Sequence, residues 1–458
     1  MFPPYQNYAP SGLPWAPQIP EGWQVQRNGR LFSHRVETGF PDLPILEVSL
    51  RTGVRVRDMV NGKRKQVMSA KEKYKRAVKG DIAYNMMRMW QGAVGPAPAD
   101  GLVSPAYVVV KPHAGVNTTY YSYLFRTAAY MQEVNKFSRG IVADRNRLYW
   151  ESFKQMPTLV PKAEDQDKIV TYLRAQDAHV ARFIKAKREL IKLLNEQNLR
   201  IIDQAVTRGL DASVVVRPSR VAWLGETPER WELRRLKFLA RNVTSQTTTK
   251  ASNEIYLALE HVQSWTGVTR PPEGEIEFAS TVKRFDVDDV LFGKLRPYLA
   301  KVTRARCAGV CVSEFLVLRA DKTLILPEYL EQLLRCKRVI DLINSSTAGA
   351  KMPRADWSFI GNVRLPVPSK DEQLGILAHI QRETAPLNEA IARAEDEMKL
   401  ILEYRDRQIV TVVTGQIDVR GWQPGPEDQI TEEDLTALGD DDDNDTTQEE
   451  ADGDDGHD

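Results

Sequence analysis

The residues best equipped for chemistry in this chain are cations set beside aromatic and turn-forming residues. Phe292-Gly293-Lys294-Leu295-Arg296-Pro297-Tyr298 follows a short strand-like run, Asp289–Leu291. Lys294 and Arg296 suit phosphate oxygens or the acceptor edge of guanine, and Tyr298 adds a ring for packing. Farther on, Ser346-Thr347-Ala348-Gly349-Ala350-Lys351-Met352-Pro353-Arg354 is a flexible loop carrying Lys351 and Arg354. The first half of the chain has similar places, with Arg88 in Tyr84–Gln91 and Arg145 and Arg147 in Ser138–Arg147. It also has a basic run that starts at Lys63-Arg64-Lys65 and continues through Lys71, Lys73, Lys75 and Arg76. One basic run alone is ordinarily a solvated face. Basic loops at equivalent places in two halves point instead to a polyanion such as DNA.

No catalytic constellation accompanies them. The chain lacks G-x-x-x-x-G-K-[ST], so no nucleotide-driven motor is expected. Phe2-Pro3-Pro4-Tyr5 is similar to the Asn/Asp-Pro-Pro-Tyr/Phe site of amino-methyltransferases, but Phe2 stands where a hydrogen-bonding side chain is required. The six His contain no i, i+4 pair. Cys307 and Cys311 are spaced C-x3-C with no second Cys or His pair nearby, so no metal centre is expected. Three Cys in 458 residues cannot form a disulfide framework, and reduced thiols are the default.

The formal net charge of +1, from 63 Lys plus Arg and 62 Asp plus Glu, conceals a division. Sixteen of the carboxylates lie between Gln423 and Asp458, a stretch without Lys or Arg. The rest of the chain carries 63 cations against 46 carboxylates, a body of +17 that attracts polyanions. The acidic stretch is of low complexity and cannot bury apolar surface, so its composition predicts disorder. It would either compete with DNA for the basic loops or serve solubility. Apolar residues make up 42% of the chain, enough for real cores elsewhere. No apolar run approaches the ~18 residues of a membrane span. The N-terminus lacks the basic start and apolar core of a secretory signal.

The elements that must hold the loops repeat. Six Pro in the first 20 residues predict an extended arm. Mixed, strand-rich sequence follows to about Val160, with one helix over Tyr120–Val134. Glu164–Val206 has no Pro or Gly and predicts a long helix that stops at Gly209. From about Pro218 the mixed pattern returns, and Asp371–Val413 is a second long helix, interrupted at Pro386, where a kink or a lost hydrogen bond is expected. Trp150, Val160-Pro161, Gln166, Thr207 and Asp211 recur as Trp357, Val367-Pro368, Gln373, Thr414 and Asp418, each 207 residues on. Pro20-Glu21-Gly22-Trp23 returns as Pro228-Glu229-Arg230-Trp231, 208 residues on.

Both helices carry an apolar seam with heptad spacing. It runs through Val170, Leu173, Val180, Ile184, Ile191, Leu194 and Ile201 in the first, interrupted by Asp177, Lys187 and Asn198. In the second it runs through Leu377, Ile380, Leu387, Ile391, Ala394, Met398 and Ile401. So narrow a seam stabilises a helix only when paired, and the economical partner is the other helix. At about 1.5 Å per residue, about 43 residues span about 64 Å.

VDDVLFGKLRPYLAK, SSTAGAKMPRADWSFIGNVRLPVPSKDEQLGI and the helix ending TVVTGQIDVRGW resemble the specificity subunits of type I restriction–modification systems, over about residues 20–422. The resemblance implies an α+β chain with a pseudo-two-fold internal repeat. Two mixed α/β target-recognition domains are separated by two long helices, conserved in that family, that form an antiparallel coiled coil. Divided so, the chain reads as a Pro-rich arm (1–19), a first recognition domain (20–161) and a central helix (162–210). A second recognition domain (211–368), a C-terminal helix (369–422) and the acidic tail (423–458) follow. The family further implies a non-catalytic subunit in which each domain reads half of a bipartite DNA site. Its helices set the spacer and dock two methyltransferase subunits, with restriction and translocase subunits joining later. S-adenosylmethionine would belong to the methyltransferase partner, and the setting would be a bacterial or archaeal cytoplasm. The chain departs from the family at YNMMRMWQG, where the second domain has FGKLRPYL, and in its acidic tail. A coiled-coil scaffold whose globular domains bind protein is the competing reading.

Overall fold

The computed structural model describes residues 2–50, 53–57, 71–140, 146–272, 281–347 and 352–431. The chain divides into two units, Met1–Glu189 with Ala394–Asp458, and Leu190–Arg393. Its α-helices are α1 (Thr118–Phe125), α2 (Ala128–Phe137), α3 (Trp150–Phe153), α4 (Ala163–Arg208), α5 (Pro327–Arg335), α6 (Lys337–Ser345), α7 (Trp357–Ile360) and α8 (Lys370–Val413).

In the first unit a four-stranded antiparallel sheet runs in the order Phe32–Arg35, Tyr107–Pro112, Ile82–Asn85, Val94–Pro96. α1 and α2 follow its long strand and bury Tyr120, Tyr121, Leu124, Phe125 and Tyr130. The expected single helix over Tyr120–Val134 is two. Thr127 takes an extended backbone and its hydroxyl accepts the Tyr130 N–H, so it ends one helix and caps the next. The same core takes in Ile169 and Leu173 from the start of α4 and Ile409, Val412 and Val413 from the end of α8.

The N-terminal segment is not an extended arm. Tyr8–Leu13 and Ala16–Pro20 pair as a hairpin, and Tyr5, Leu13, Ala16 and Ile19 are buried in the core. An isolated two-stranded hairpin has free edges, where the missing N–H of proline costs little. Asp418, beyond α8, donates its N–H to the Pro3 carbonyl.

The second unit repeats this plan. Its sheet runs Ala240–Val243, Phe315–Ala320, Val290–Gly293, Val302–Arg304. α5 and α6 cover it, with Ile202, Ala205 and Val206 of α4 and Ile376 and Ile380 of α8 in the same core. The hairpin Val216–Pro218/Glu226–Pro228 stands where the N-terminal hairpin stands in the first unit. Repeated residues perform repeated tasks. Gln166 and Gln373 each donate to the carbonyl five residues earlier and accept an N–H from the loop entering or preceding α1 or α5. Tyr120 and Tyr329, both buried, donate to the carbonyls of Val413 and Val206 in the closing turns of α8 and α4.

The polar interruptions of the first seam are matched inside each unit. In the first, Asp177 pairs with Arg405 at 2.6 Å and Lys187 with Glu397 at 2.5 Å. In the second, Asn198 donates to Asn388 at 2.9 Å. In the first unit the α8 partner falls as α4 numbering rises, so the helices are antiparallel there; in the second, Asn198 meets Asn388 while Ile202 shares a core with Ile376 and Ile380, the same sense. Val170, Leu173, Val180, Ile184, Ile380 and Ala394 are buried, and the other seam residues are half-buried. α8 continues through Pro386, which is exposed.

Candidate nucleic-acid interface

In the second unit, two loops far apart in sequence are zipped by main-chain hydrogen bonds. Arg296 donates its N–H to Pro353 (2.7 Å) and Ala355 donates to Lys294 (2.9 Å), around a bridge between Leu295 and Arg354. Lys294, Arg296, Tyr298 and Arg354 are thereby gathered at one end of the sheet. Arg296 takes a left-handed backbone, φ 49°, a conformation a β-carbon disfavours. Arg296, Tyr298 and Arg354 are exposed and Lys294 is half-buried.

Glu314 organises this cluster. Its backbone carbonyl accepts the Lys294 N–H, and its carboxylate accepts Arg354 Nη2 at 3.0 Å. No sequence signal separated Glu314 from the chain's many other acids. Lys294 also acts at a distance. The Asp356 carboxyl is held below its ordinary value first by the Ser358 hydroxyl, and the Lys294 charge adds to that. Lys283, which donates to the Phe315 carbonyl, is pushed down by burial, and Lys294 pushes it the same way.

The first unit joins the equivalent loops by one of these two hydrogen bonds. Leu148 donates its N–H to Met86 (2.8 Å), as Ala355 does to Lys294, whereas the Arg88 N–H turns to Asn85 in its own loop and the two-way bridge of Arg139 and Arg147 lies within the second loop. Arg88 and Arg147 therefore occupy the stations of Arg296 and Arg354, at the 208- and 207-residue offsets. Arg147 is exposed and Arg88 half-buried. Ala106 takes the place of Glu314, so the carboxylate that holds Arg354 has no counterpart at that position. Lys63, Arg64, Lys65, Arg145 and Lys351 lie outside the described residues.

The acidic stretch begins bound rather than loose. Pro426–Asp428 forms a single helical turn, Asp428 pairs with His179 of α4 at 2.7 Å, and Arg182 donates to the Glu427 carbonyl at 2.7 Å. Trp422 meets Tyr172 edge-on at 5.3 Å. Those aromatic and cationic contacts fix the first two acids of the stretch; Glu432–Asp458 lies outside the described residues.

Cys307 is exposed while Cys311 and Cys336 are buried, and burial pushes the Cys311 thiol up to about 12. Among the described residues no three potential metal ligands gather. No described helix is long and apolar enough to cross a membrane.

No family model matches the chain. It is 24% identical over 159 residues to the type I restriction enzyme EcoDI specificity subunit of Escherichia coli, a match covering 33% of this chain. That match spans about a third (35%) of the relative's length. Among solved structures, a chain from a study of complex assembly and conformational transition in the type I restriction–modification system superposes with a TM-score of 0.58. The sequences are 13% identical, and the match covers 86% of this chain and 98% of that one. The HsdS subunit of Thermoanaerobacter tengcongensis matches with a TM-score of 0.39, 15% identity, and coverage of 87% and 98%. This chain thus resembles a type I specificity subunit in sequence over a third of its length, and over most of its length it has the fold of a chain of a type I restriction–modification system.

Proposed function

We propose that this chain is the DNA-recognition subunit of a type I restriction–modification complex, with no catalytic role of its own. The observation that carries the reading is the duplicated junction. Each half of the repeat zips two loops together and presents an arginine pair there, Arg88 with Arg147 and Arg296 with Arg354. Each pair would meet one half of a bipartite site in double-stranded DNA. Phosphate contacts give affinity and salt dependence, and a bidentate arginine on guanine contributes about 1–3 kcal/mol of discrimination. Linking two readers makes the second half-site an intramolecular encounter.

α4 and α8 would set the spacer between half-sites and dock two methyltransferase subunits. Leu193 and Leu400, one repeat apart on the two helices, are 53% and 62% exposed, as two equivalent apolar docking points would require. S-adenosylmethionine belongs in those partners, which would flip the target adenine from the stack at a cost of a few kcal/mol. Restriction and translocase subunits would complete the assembly.

Methylation-aware sequencing of the host genome gives the bipartite motif, and duplexes of that motif test the reading. Lengthening the spacer by two base pairs moves one half-site by about 7 Å and about 70° around the axis. Affinity should then fall to that of a single half-site. Equal affinity for both duplexes would refute the spacer role, and no preference for the motif would refute DNA recognition.

A further inference from the structure

Within the first unit a cleft of about 1220 Å³ lies between α1, α2 and the adjoining stretches of α4 and α8. Six cations line it: Arg126, Arg174, Arg188, Lys399, Arg405 and Arg407. Arg405 engages both carboxylates of the lining, Asp177 and Asp406, at 2.6 and 3.3 Å, and Arg126 and Arg188 have partners of their own, so the cleft's excess positive charge rests on the exposed Arg174, Lys399 and Arg407. Burial lowers the Arg126 guanidinium to about 10, and the Arg405 charge pushes it the same way. A walled space with so uneven a charge balance favours an anionic occupant, and its length along two helices suits a chain-like one.

The same unit supplies such a chain. Asp428 and Glu427 are clamped to His179 and Arg182 of α4. Beyond Thr431 come 27 residues, Glu432–Asp458, with fourteen carboxylates and no Lys or Arg. His179 follows Asp177 by two residues, so the clamp and the cleft lie at one level on nearly opposite faces of α4. Half the circumference of a helix about 10–12 Å across is about 15–20 Å. Five or six extended residues at about 3.3–3.6 Å each cover that distance, which leaves Asp440–Asp458 to reach the cleft. Tethering there keeps the effective concentration of the polyanion high.

We propose that Glu432–Asp458 is the resident ligand of this cleft, a polyanion held in cis that external polyanions must displace. The proposal goes beyond DNA recognition, and its test uses no DNA, so the two can fail separately. A labelled peptide of residues 432–458 is titrated at low salt into the full chain and into a chain ending at Thr431. It should bind the shortened chain at least tenfold more tightly, because the full chain fills its own site. In the shortened chain, Arg174→Gln with Lys399→Gln and Arg407→Gln should weaken the peptide at least tenfold. The three are surface side chains, and a circular dichroism spectrum checks that the variant is folded. A control removing three exposed cations of the second unit, Lys322→Gln with Arg382→Gln and Arg393→Gln, should leave binding within twofold. Absence of peptide binding to the shortened chain overturns the proposal, as do equal losses in the two triple variants.

Discussion

Asp177 offers the sharpest test of how the first unit holds its two helices together. Its side chain is 8% exposed, and its carboxylate accepts the Arg405 Nε at 2.6 Å and the Tyr123 hydroxyl at 2.6 Å. Burial works against the Arg405 charge, but the Asp177 carboxylate outweighs it and holds the guanidinium above its ordinary value. Asp177→Ala strands that cation close to Arg126, a second buried guanidinium. Breaking a buried ion pair on one side costs about 3–5 kcal/mol. The Arg405 side chain is 24% exposed, so water recovers part of that, leaving about 2–3 kcal/mol. The Tyr123 hydroxyl loses its acceptor, adding about 1 kcal/mol. Asp177→Ala should therefore destabilise the first unit by about 3 kcal/mol. Adding Arg405→Met removes the stranded charge while keeping its packing, so the double variant should lose only about 1 kcal/mol. The two units need not unfold together, so the assay is hydrogen exchange on α1 and the end of α8, which reads local opening free energies. A single variant within 0.5 kcal/mol of the parent, or a double variant no better than the single, would refute the reasoning.

Three further outcomes follow from the same geometry. Arg296→Ala and Arg354→Ala should each weaken binding to the target duplex; a phosphate contact would lower the slope of log affinity against log salt by about 1, while a base contact would relax specificity at one position. Gly415→Ala should destabilise the first unit by about 1–3 kcal/mol in urea unfolding, because φ is +75° and the added β-carbon would press into Pro20 and Trp23; a stability unchanged by the substitution would contradict this packing. The Asp428 carboxyl is held below its ordinary 3.8 first by the Gly425 N–H and then by His179, so its contribution to docking is present above that value and lost as pH falls through and below it. Hydrogen exchange over Gly425–Thr431, corrected for the intrinsic rate at each pH, should then lose its protection below about pH 4 but keep it near pH 6, and His179→Ala with Arg182→Ala should remove that protection at neutral pH as well.

Much of the fold was legible because it is written twice. Trp150 and Trp357 open α3 and α7 at the offset read from the sequence, and Gln166 and Gln373 make the same hydrogen bonds. The seam was legible because burial follows helical periodicity, and its three polar interruptions turn out to have partners on α8. The N-terminal hairpin was missed because six prolines weighed more than a match that was available. Pro10-Ser11 and Trp15 recur as Pro218-Ser219 and Trp223, 208 residues on, and that pairing places the segment inside the repeat. The break between α1 and α2 depends on one hydroxyl, Thr127, whose capping role looks no different in sequence from any threonine on a helix surface.

The junction shows where sequence reading reaches its physical limit. The sequence placed Arg88, Arg147, Arg296 and Arg354 in equivalent loops of the two halves, but not that the two loops of each half are joined, because the joint is made of main-chain N–H and carbonyl groups. Any residue except proline as donor supplies those, so the arrangement leaves no side-chain signature. What the repeat preserves is this backbone frame; what it varies is the chemistry mounted on it. Glu314 pins Arg354 in the second unit, whereas Ala106 leaves Arg147 without that restraint in the first. A pinned guanidinium loses less conformational entropy on meeting a fixed acceptor pattern, and an unpinned one adapts more readily to phosphate. Under the proposed function, a duplicated scaffold that holds its arginines differently would suit two unlike half-sites rather than a palindrome.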